Sequence, residues 1–200
     1  DEAIWAHSYA SCDATFTVAG QNVRLSQQTN YPWDGDVAIG VHPDQPCSFA
    51  LALRIPDWCR QAALKVNGKT MAIPAISERG YAVIRRQWQA GDKVELSLAM
   101  APERIYAHPS VRHDAGRVAL QRGPVVYCLE EMDNGPDLAD LRLPPVAELD
   151  VHPGPADLGG VPVITGPALR RDKSAWDHKL YAADNSHYHA CTLTAIPYFL

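Results

Sequence analysis

The feature that most limits the fold of this chain is a period-two alternation of apolar residues, repeated in short segments that end at turn residues. In the clearest segment, the large apolar side chains share one side: Phe49, Leu51, Leu53 and Ile55. Successive side chains of a strand point to opposite faces, so one face is core and the other is small or solvated. A helix needs a period near 3.6 and longer runs, so the alternation predicts β-strands.

Two strand pairs can be located from their connections. Asn67-Gly68 separates two apolar segments, and this dipeptide tolerates the positive φ angles of a type I′ turn. It therefore predicts a hairpin with a two-residue loop. A second strand pair is predicted from Gly80–Arg86 and Lys93–Leu98, joined through Trp88–Asp92.

The whole chain shows the same organisation. Roughly a dozen short strands, turn residues every 8–12 residues or so, and no long helix predict an all-β fold of two tandem antiparallel β-sandwiches, jelly-roll-like in type. Two hundred residues suit two domains of about 100 residues each. A break at Ala101-Pro102 places the first β-sandwich at residues 1–101 and the second at 102–200. The apolar segment Ala195–Leu200 stops without a turn or a polar tail, so we expect the second domain to be truncated at its C-terminus.

Composition argues against two classes of partner and indicates a compartment. The 18 basic residues are outnumbered by 23 acidic ones and are scattered rather than gathered in a stripe, so neither nucleic acid nor membrane is expected as a partner. No run approaches the ~20 apolar residues that a membrane-spanning helix needs. Five widely spaced cysteines, an odd number, make a poor disulfide framework and favour buried free thiols in a reducing cytoplasm. A Cys47–Cys59 bridge is the alternative.

Two loops place an indole beside a carboxylate. Trp33 precedes Asp34 in one loop, and Trp58 follows Asp57 in the other. Sugars stack on indole rings through their CH faces while acids bind their hydroxyl groups, which makes Trp33, Asp34 and Trp58 candidate carbohydrate-binding residues. The alternative, which we prefer, is that each indole covers the end of a sandwich or packs against a neighbouring domain.

A metal site near the C-terminus is the next candidate. His187, His189 and Cys191 would share one face of a strand, and Asp184 or His178 would complete four zinc ligands. Residues at this spacing spread over ~13 Å, too far for one small ion to bind all three. The preferred interpretation is an edge strand with polar residues outward. No metal site is predicted, and His187 and His189 are kept only as candidate ligands.

Neither the carboxylates nor the known motifs provide a catalytic group. Glu130-Glu131 is a carboxylate pair, and glycoside hydrolysis uses two carboxylates about 5–9.5 Å apart. Neighbouring strand residues point to opposite faces, however, so these two would not flank one substrate. The sequence contains no nucleophile elbow, phosphate-binding glycine loop, His-Glu-x-x-His or Cys-x-x-Cys motif. No catalytic residue is predicted in this chain.

Several segments together resemble the C-terminal region of the bacterial β-L-arabinofuranosidase family, glycoside hydrolase family 127. In chain order they are Leu53–Cys59, Gly80–Trp88, Gly91–Leu96, Gln121–Glu131 and Leu193–Tyr198. Thr29–Gly35 fits the same region, and the resemblance runs from near Ile4 to the end of the chain.

The resemblance implies a parent enzyme with an N-terminal helical (α/α)-toroid catalytic domain followed by two β-sandwiches. It also implies retaining release of arabinofuranose, with a zinc-bound cysteine thiolate as nucleophile and a glutamate as acid/base. Zinc deprotonates and orients such a thiolate. These residues belong to the toroid, which carries a paired-cysteine motif, whereas this chain has no adjacent cysteines. No cofactor is therefore expected in this chain, and zinc is implied only for the missing catalytic domain.

We accordingly expect the non-catalytic C-terminal β-sandwich region of a β-L-arabinofuranosidase-like glycoside hydrolase. It would support the missing helical-toroid catalytic domain and be inactive alone. The alternative function is a carbohydrate-binding module that uses its loop tryptophans. The expected partners are the N-terminal catalytic domain of the parent enzyme, a second copy of the chain in a homodimer, and carbohydrate.

Overall fold

The computed structural model describes residues 3–176, 179–184 and 187–199, and strands predominate throughout. The predicted all-β fold is confirmed. The chain divides into two units, Asp1–Ala101 and Pro102–Leu200. Among the described residues, no helix has the length and apolar character needed to cross a membrane.

The first unit is built from two sheets. Its elements in chain order are β1 (Ala3–Ala6), β2 (Cys12–Val18), β3 (Gln21–Thr29), β4 (Asp36–Pro43), β5 (Cys47–Arg54), β6 (Ala62–Val66), β7 (Lys69–Met71), α1 (Ile73–Ile76), β8 (Ser77–Glu78), β9 (Tyr81–Trp88) and β10 (Asp92–Leu98). The four-stranded sheet has the order β1-β5-β9-β8, and the six-stranded sheet has the order β2-β3-β4-β10-β6-β7.

Buried apolar side chains from both sheets form one core. The four-stranded sheet contributes Leu51, Leu53, Ile84 and Trp88, and the six-stranded sheet contributes Val23, Ile39, Val41, Leu64, Val94 and Leu96. In β5 the alternation is as expected on its core-facing side, with Phe49, Leu51 and Leu53 buried. Two sheets that bury their alternating faces against each other form a β-sandwich.

The predicted hairpin at Asn67-Gly68 is confirmed. β6 and β7 pair antiparallel on either side of it, and both turn residues have positive φ, 50° for Asn67 and 76° for Gly68. These two angles are those of a type I′ turn, whose twist matches that of the flanking strands. Here local sequence alone determines local structure.

The predicted pairing across Trp88–Asp92 is wrong. β9 pairs with β5 and β8, whereas β10 pairs with β4 and β6 in the other sheet. Trp88 is fully buried, and its Nε1 donates to the carbonyl of Phe49 at 3.1 Å, which holds the end of β9 on β5. Alternation indicates which face of a strand is buried but does not select its partner, so a short connection was mistaken for a hairpin.

One pairing also departs from the antiparallel expectation. β1 lies parallel to β5, with Ile4 opposite Leu51 and Trp5 opposite Ala52. Ile4 is buried in the core, so its neighbour Trp5 points to the outer face of the four-stranded sheet. This pairing positions the aromatic groups described below.

The second unit has its strands in one hydrogen-bonded sheet. Its elements are β11 (Pro102–Ile105), β12 (Ala119–Arg122), β13 (Val125–Leu129), α2 (Glu131–Asn134), β14 (Leu141–Arg142), β15 (Asp150–Pro153), β16 (Pro162–Arg171) and β17 (Tyr188–Pro197), with short 3-10 turns at Arg112–Asp114, Leu138–Asp140, Ala156–Leu158 and Ser174–Trp176. The strand order is β11-β12-β13-β17-β16-β14, and β15 also pairs with β16.

A side chain extends the hydrogen-bond ladder where β13 ends. The last ladder pair of β13 is Leu129 with Ala195. The residue of β17 next to Ala195 is Thr194, which pairs with the side chain of Asn134. Asn134 Nδ2 donates to the carbonyl of Thr194, and Asn134 Oδ1 accepts the amide N–H of Thr194, both at 2.8 Å. The amide of Asn134 thus replaces a strand residue, because it presents the same donor and acceptor pair as a peptide group.

Candidate functional site

The first loop of interest is held in place by its own backbone and by one glycine. Asp34 accepts the amide N–H of Asp36 on Oδ1 at 3.2 Å, so this carboxylate closes a local turn. The amide of Leu98 donates to the carbonyl of Gly35 at 2.9 Å. A Cβ on Gly35 would lie 1.9 Å from the carbonyl oxygen of Leu98, so only glycine permits this approach. Trp33, in the same loop, is half-buried.

The second loop brings an indole against the first. The amide of Ile55 donates to the carbonyl of Gly80 at 2.8 Å, which fixes the start of the loop. The ring of Trp58 stacks on Tyr31, with centroids 6.5 Å apart and planes 28° from parallel. Tyr31 in turn meets Tyr9 edge-on at 5.9 Å. Three aromatic rings from separate parts of the chain therefore form one continuous wall.

The tyrosines in this wall are neutral hydrogen-bonding groups. Tyr9 is buried, and its hydroxyl donates to the carbonyl of Arg54 at 2.6 Å. Burial, with Tyr31 and Tyr81 nearby, raises the pKa of Tyr9 well above its ordinary value. Burial also raises the pKa of Tyr31, although Trp58 and Arg54 oppose that change. Both phenols consequently keep their protons near neutral pH.

The wall borders a cleft of about 320 Å³, which we call the aromatic cleft. It is lined by His7, Ser8, Tyr9, Tyr31, Arg54, Pro56, Asp57 and Trp58. Of the three residues predicted from the sequence, Trp58 lines the cleft, while Trp33 and Asp34 are not among its lining residues. Aromatic faces beside one carboxylate and one guanidinium could contact either a sugar ring or the edge of another protein domain.

A second aromatic group, the Trp5 cluster, lies on the outer face of the four-stranded sheet and consists of Trp5, His7 and Tyr81. The rings of Trp5 and Tyr81 meet edge-on at 5.0 Å, and His7 Nδ1 lies 2.7 Å from the Tyr81 hydroxyl. Ala52 faces outward on the central strand between them and is fully buried. Trp5 itself is 48% exposed. His7 belongs to both groups, so the two are contiguous.

Sequence reasoning missed most of this surface. Tyr9, Arg54 and His7 were not predicted, because they reach the cleft through the parallel pairing of β1 with β5. The available signal was the pair of small outward residues, Ala50 and Ala52, which leave room for large rings on the neighbouring strands. That signal becomes informative only when the strand order is known.

The histidines near the C-terminus do not form a metal site with the described residues. β17 begins at Tyr188, and His187, just before it, lies with Nε2 3.8 Å from Asp184 Oδ2. His178 lies outside the described residues. Within residues 3–176, 179–184 and 187–199, no group of three or more His, Cys, Asp or Glu side chains could hold a metal ion. The zinc that the resemblance implies belongs to the missing catalytic domain, and its presence there stays a prediction.

The remaining candidate nucleophiles and acids are the carboxylates Glu130 and Glu131 and the cysteines. Glu131 starts the short helix α2, and its Oε1 accepts the amide N–H of Asp137 at 2.9 Å. None of the five cysteines forms a disulfide bond, so the Cys47–Cys59 bridge is absent; Cys47 is buried but Cys12 is exposed, contrary to the expectation of buried thiols throughout. Burial, with the charge of Glu130, raises the pKa of the Cys128 thiol, which disfavours the nucleophilic thiolate.

Comparison with known protein families gives a match to each unit. Residues 3–100 match the model described as beta-L-arabinofuranosidase, GH127 middle domain. Residues 102–200 match the model described as glycoside hydrolase family 127 C-terminal domain.

Individual proteins are similar over nearly the whole chain. A non-reducing end beta-L-arabinofuranosidase of Bifidobacterium longum subsp. longum is 35% identical, over 98% of this chain and 30% of that protein. The crystal structure of a GH127 beta-L-arabinofuranosidase from Geobacillus stearothermophilus T6 is 50% identical with a TM-score of 0.96, over 98% of this chain and 31% of that one. A GH127 beta-arabinofuranosidase structure is 30% identical with a TM-score of 0.84, over 99% and 32%. The chain thus spans about a third of the length of these relatives.

Proposed function

We propose that this chain, which belongs to glycoside hydrolase family 127 and matches its middle and C-terminal domains, is a non-catalytic support for the catalytic domain of a β-L-arabinofuranosidase-like enzyme. The similar proteins are about three times as long as this chain. A middle domain follows an N-terminal region, which in such an enzyme would precede residue 3.

The observation that carries this proposal is the Trp5 cluster with the adjoining aromatic cleft. Trp5 lies half-exposed on the outer face of the four-stranded sheet, opposite Ala52 of β5. Contiguous aromatic surface of this kind marks an interaction site, since isolated domains rarely expose it. We assign the upstream catalytic domain as its occupant, because β1, which carries Trp5, is the first strand after that domain.

Separate expression of the two parts tests the proposal. The chain is expected to bind the catalytic domain of its parent enzyme, measured by isothermal titration calorimetry. Trp5→Ala should weaken binding tenfold or more, on the order of 1.4 kcal/mol, because central aromatic residues dominate such interfaces. Arg24→Ala, an exposed change on the six-stranded sheet, is the control and should leave the affinity unchanged. Equal affinities for the two variants would contradict the assigned surface.

Activity provides the second test. Incubated with an aryl β-L-arabinofuranoside, the chain alone is expected to release no aryl alcohol. Turnover by the purified chain that survives a second chromatographic step would show a catalytic site in these residues and refute the support role.

A carbohydrate-binding role is the second candidate, and the stacked pair of Trp58 and Tyr31 favours it. The cleft beside this pair has Asp57 and Arg54 to bind sugar hydroxyl groups. Trp33 and Asp34 would lie at the margin of such a site. Titration with arabinose-rich oligosaccharides, followed by tryptophan fluorescence, tests this role. No response at millimolar sugar would remove it.

Three further expectations remain proposals. Zinc is assigned to the catalytic domain of the parent enzyme and not to His187 or His189, so stoichiometric zinc in the purified chain would contradict this assignment. Homodimer formation is tested by light scattering of the parent enzyme. A cytoplasmic location is consistent with five cysteines that form no disulfide bond and is tested by cell fractionation.

A further inference from the structure

The second unit contains a cavity of about 640 Å³ that shares no lining residue with the aromatic cleft. Aliphatic side chains of β12, β13 and β17 line one part of it. The other part is lined by Arg117, Arg142 and Arg171, together with Asp140 and Tyr188. Its volume lies within the ~300–1,000 Å³ range of small-molecule sites, which combine an apolar lining with a few polar groups.

One tyrosine positions two of the arginines. Arg171 and Tyr188 are opposite residues on β16 and β17, and Arg171 Nη2 donates to the Tyr188 hydroxyl at 3.2 Å. The guanidinium carbons of Arg142 and Arg171 lie 5.0 and 5.7 Å from the centre of the Tyr188 ring. An aromatic face attracts a cation without neutralising it. Both arginines are therefore ordered while keeping their full charge.

The residues that line the cavity carry more positive than negative charge, with three arginines against one carboxylate. Asp140 is the single carboxylate among the lining residues, and its Oδ2 lies 2.6 Å from Lys173 Nζ. These features favour an anionic ligand.

We propose that this cavity binds a sugar that carries a carboxylate, such as a uronic acid residue of an oligosaccharide. Guanidinium groups bind carboxylates through paired, charge-assisted hydrogen bonds. The aliphatic part of the cavity would receive the CH face of the sugar ring. Membership of a glycoside hydrolase family makes a sugar acid the preferred carboxylate. The inference depends neither on the support role of the chain nor on the aromatic cleft.

Calorimetric titration of the 200-residue chain tests the ligand class. The titrants are a uronic acid disaccharide, its neutral counterpart, acetate and inorganic phosphate. The acidic disaccharide is expected to bind at least about tenfold more tightly than each of the others, and more weakly as sodium chloride is raised, since salt screens the attraction. Equal affinity for the neutral disaccharide, or for acetate or phosphate, would overturn the proposal.

Two substitutions test the location. Arg171→Gln and Arg142→Gln are each expected to weaken binding of the acidic disaccharide about tenfold or more, because each removes a charge-assisted hydrogen bond. Arg142 is exposed on the two-residue strand β14, so its replacement should leave the fold intact, as a thermal melt would verify. Arg24→Gln, in the first unit, should have no effect. Unchanged binding by folded Arg142→Gln would refute the site.

Discussion

Asp92→Asn is the substitution whose effect on stability the structure predicts most fully. Asp92 is almost buried at the start of β10, where Oδ2 accepts the amide N–H of Gln89 at 3.0 Å and Oδ1 accepts Nδ2 of Asn67 at 2.7 Å. Arg86 Nη2 lies 3.5 Å from Oδ2. Asn67 also accepts the amide N–H of Lys93 at 2.8 Å, so the carboxylate joins the β6–β7 hairpin to β10. Losing this charge should therefore weaken the six-stranded sheet.

The size of the effect follows from these contacts. A hydrogen bond to a charged group contributes about 1.5–3 kcal/mol. The side-chain oxygen of asparagine can still accept one of the two hydrogen bonds, but its NH2 group then faces the donor of the other. The ion pair with Arg86 adds less than about 1 kcal/mol, since Arg86 is more than a third exposed. We expect Asp92→Asn to reduce the free energy of unfolding by about 2–3 kcal/mol.

The same substitution should change the pH dependence of stability. Burial alone would raise the pKa of Asp92, but the hydrogen bonds from Gln89 and Asn67 and the charge of Arg86 outweigh it and lower the pKa. A carboxyl with a lowered folded-state pKa stabilises the fold above its unfolded pKa of about 3.9, and this stabilisation is lost as pH falls through the folded pKa. The difference in free energy of unfolding between Asp92→Asn and the unmodified chain should therefore be smallest at the lowest pH.

Urea unfolding followed by tryptophan fluorescence measures both effects, because Trp88 is fully buried in the core of the same unit. The matched control is Asp13→Asn. Its carboxylate pairs with Arg24 at 3.1 Å on the surface, where both side chains are more than half exposed, so the expected change is within about 0.5 kcal/mol. The reasoning fails if the two variants unfold at the same urea concentration, or if their stabilities change in parallel between pH 7 and pH 3.

Three smaller changes test other contacts. Gly35→Ala should destabilise the first unit by more than about 2 kcal/mol in urea unfolding, because its Cβ would meet the Leu98 carbonyl oxygen at 1.9 Å, and an unchanged urea midpoint would contradict this. Asn134→Ala should cost about 2 kcal/mol in a thermal melt, since it leaves both ladder groups of Thr194 unpaired, and an unchanged melt would contradict this. Tyr9→Phe should cost about 1 kcal/mol of unfolding free energy, because it removes one buried hydroxyl donor.

The fold could be predicted from the sequence where the determining residues are neighbours in the chain. The type I′ turn at Asn67-Gly68 is one example, because the backbone preferences of two residues fix it. The buried side of β5 is another, since alternation alone shows which face is apolar. Strand partners could not be read in the same way. Alternation would bury Val94 and Leu96 equally well with β10 beside β9 or between β4 and β6, so the choice of partner depends on packing between distant parts of the chain.

The candidate site was less predictable because its residues come from distant parts of the chain. Trp58 was identified as an indole beside a carboxylate, but its partner Tyr31 lies in another loop, and their contact depends on the folded sandwich. Trp33 and Asp34 had the same local pattern, yet Asp34 closes a turn and neither residue lines the aromatic cleft. An indole next to an acid in sequence therefore does not by itself predict a shared surface.

The arrangement around Ala52 bears on why the chain exposes so much aromatic surface. The outer face of a sandwich is commonly polar, yet here Ala52 is fully buried beside the Trp5 cluster. A larger residue at position 52 would push Trp5 and Tyr81 apart without improving the core, which lies on the opposite side of β5. The small side chain at position 52 is therefore explained by packing on the outer face of the sheet and not by packing in the core. This requirement is understandable if a further domain covers the rings, which supports the proposed role of the surface as a support for the catalytic domain.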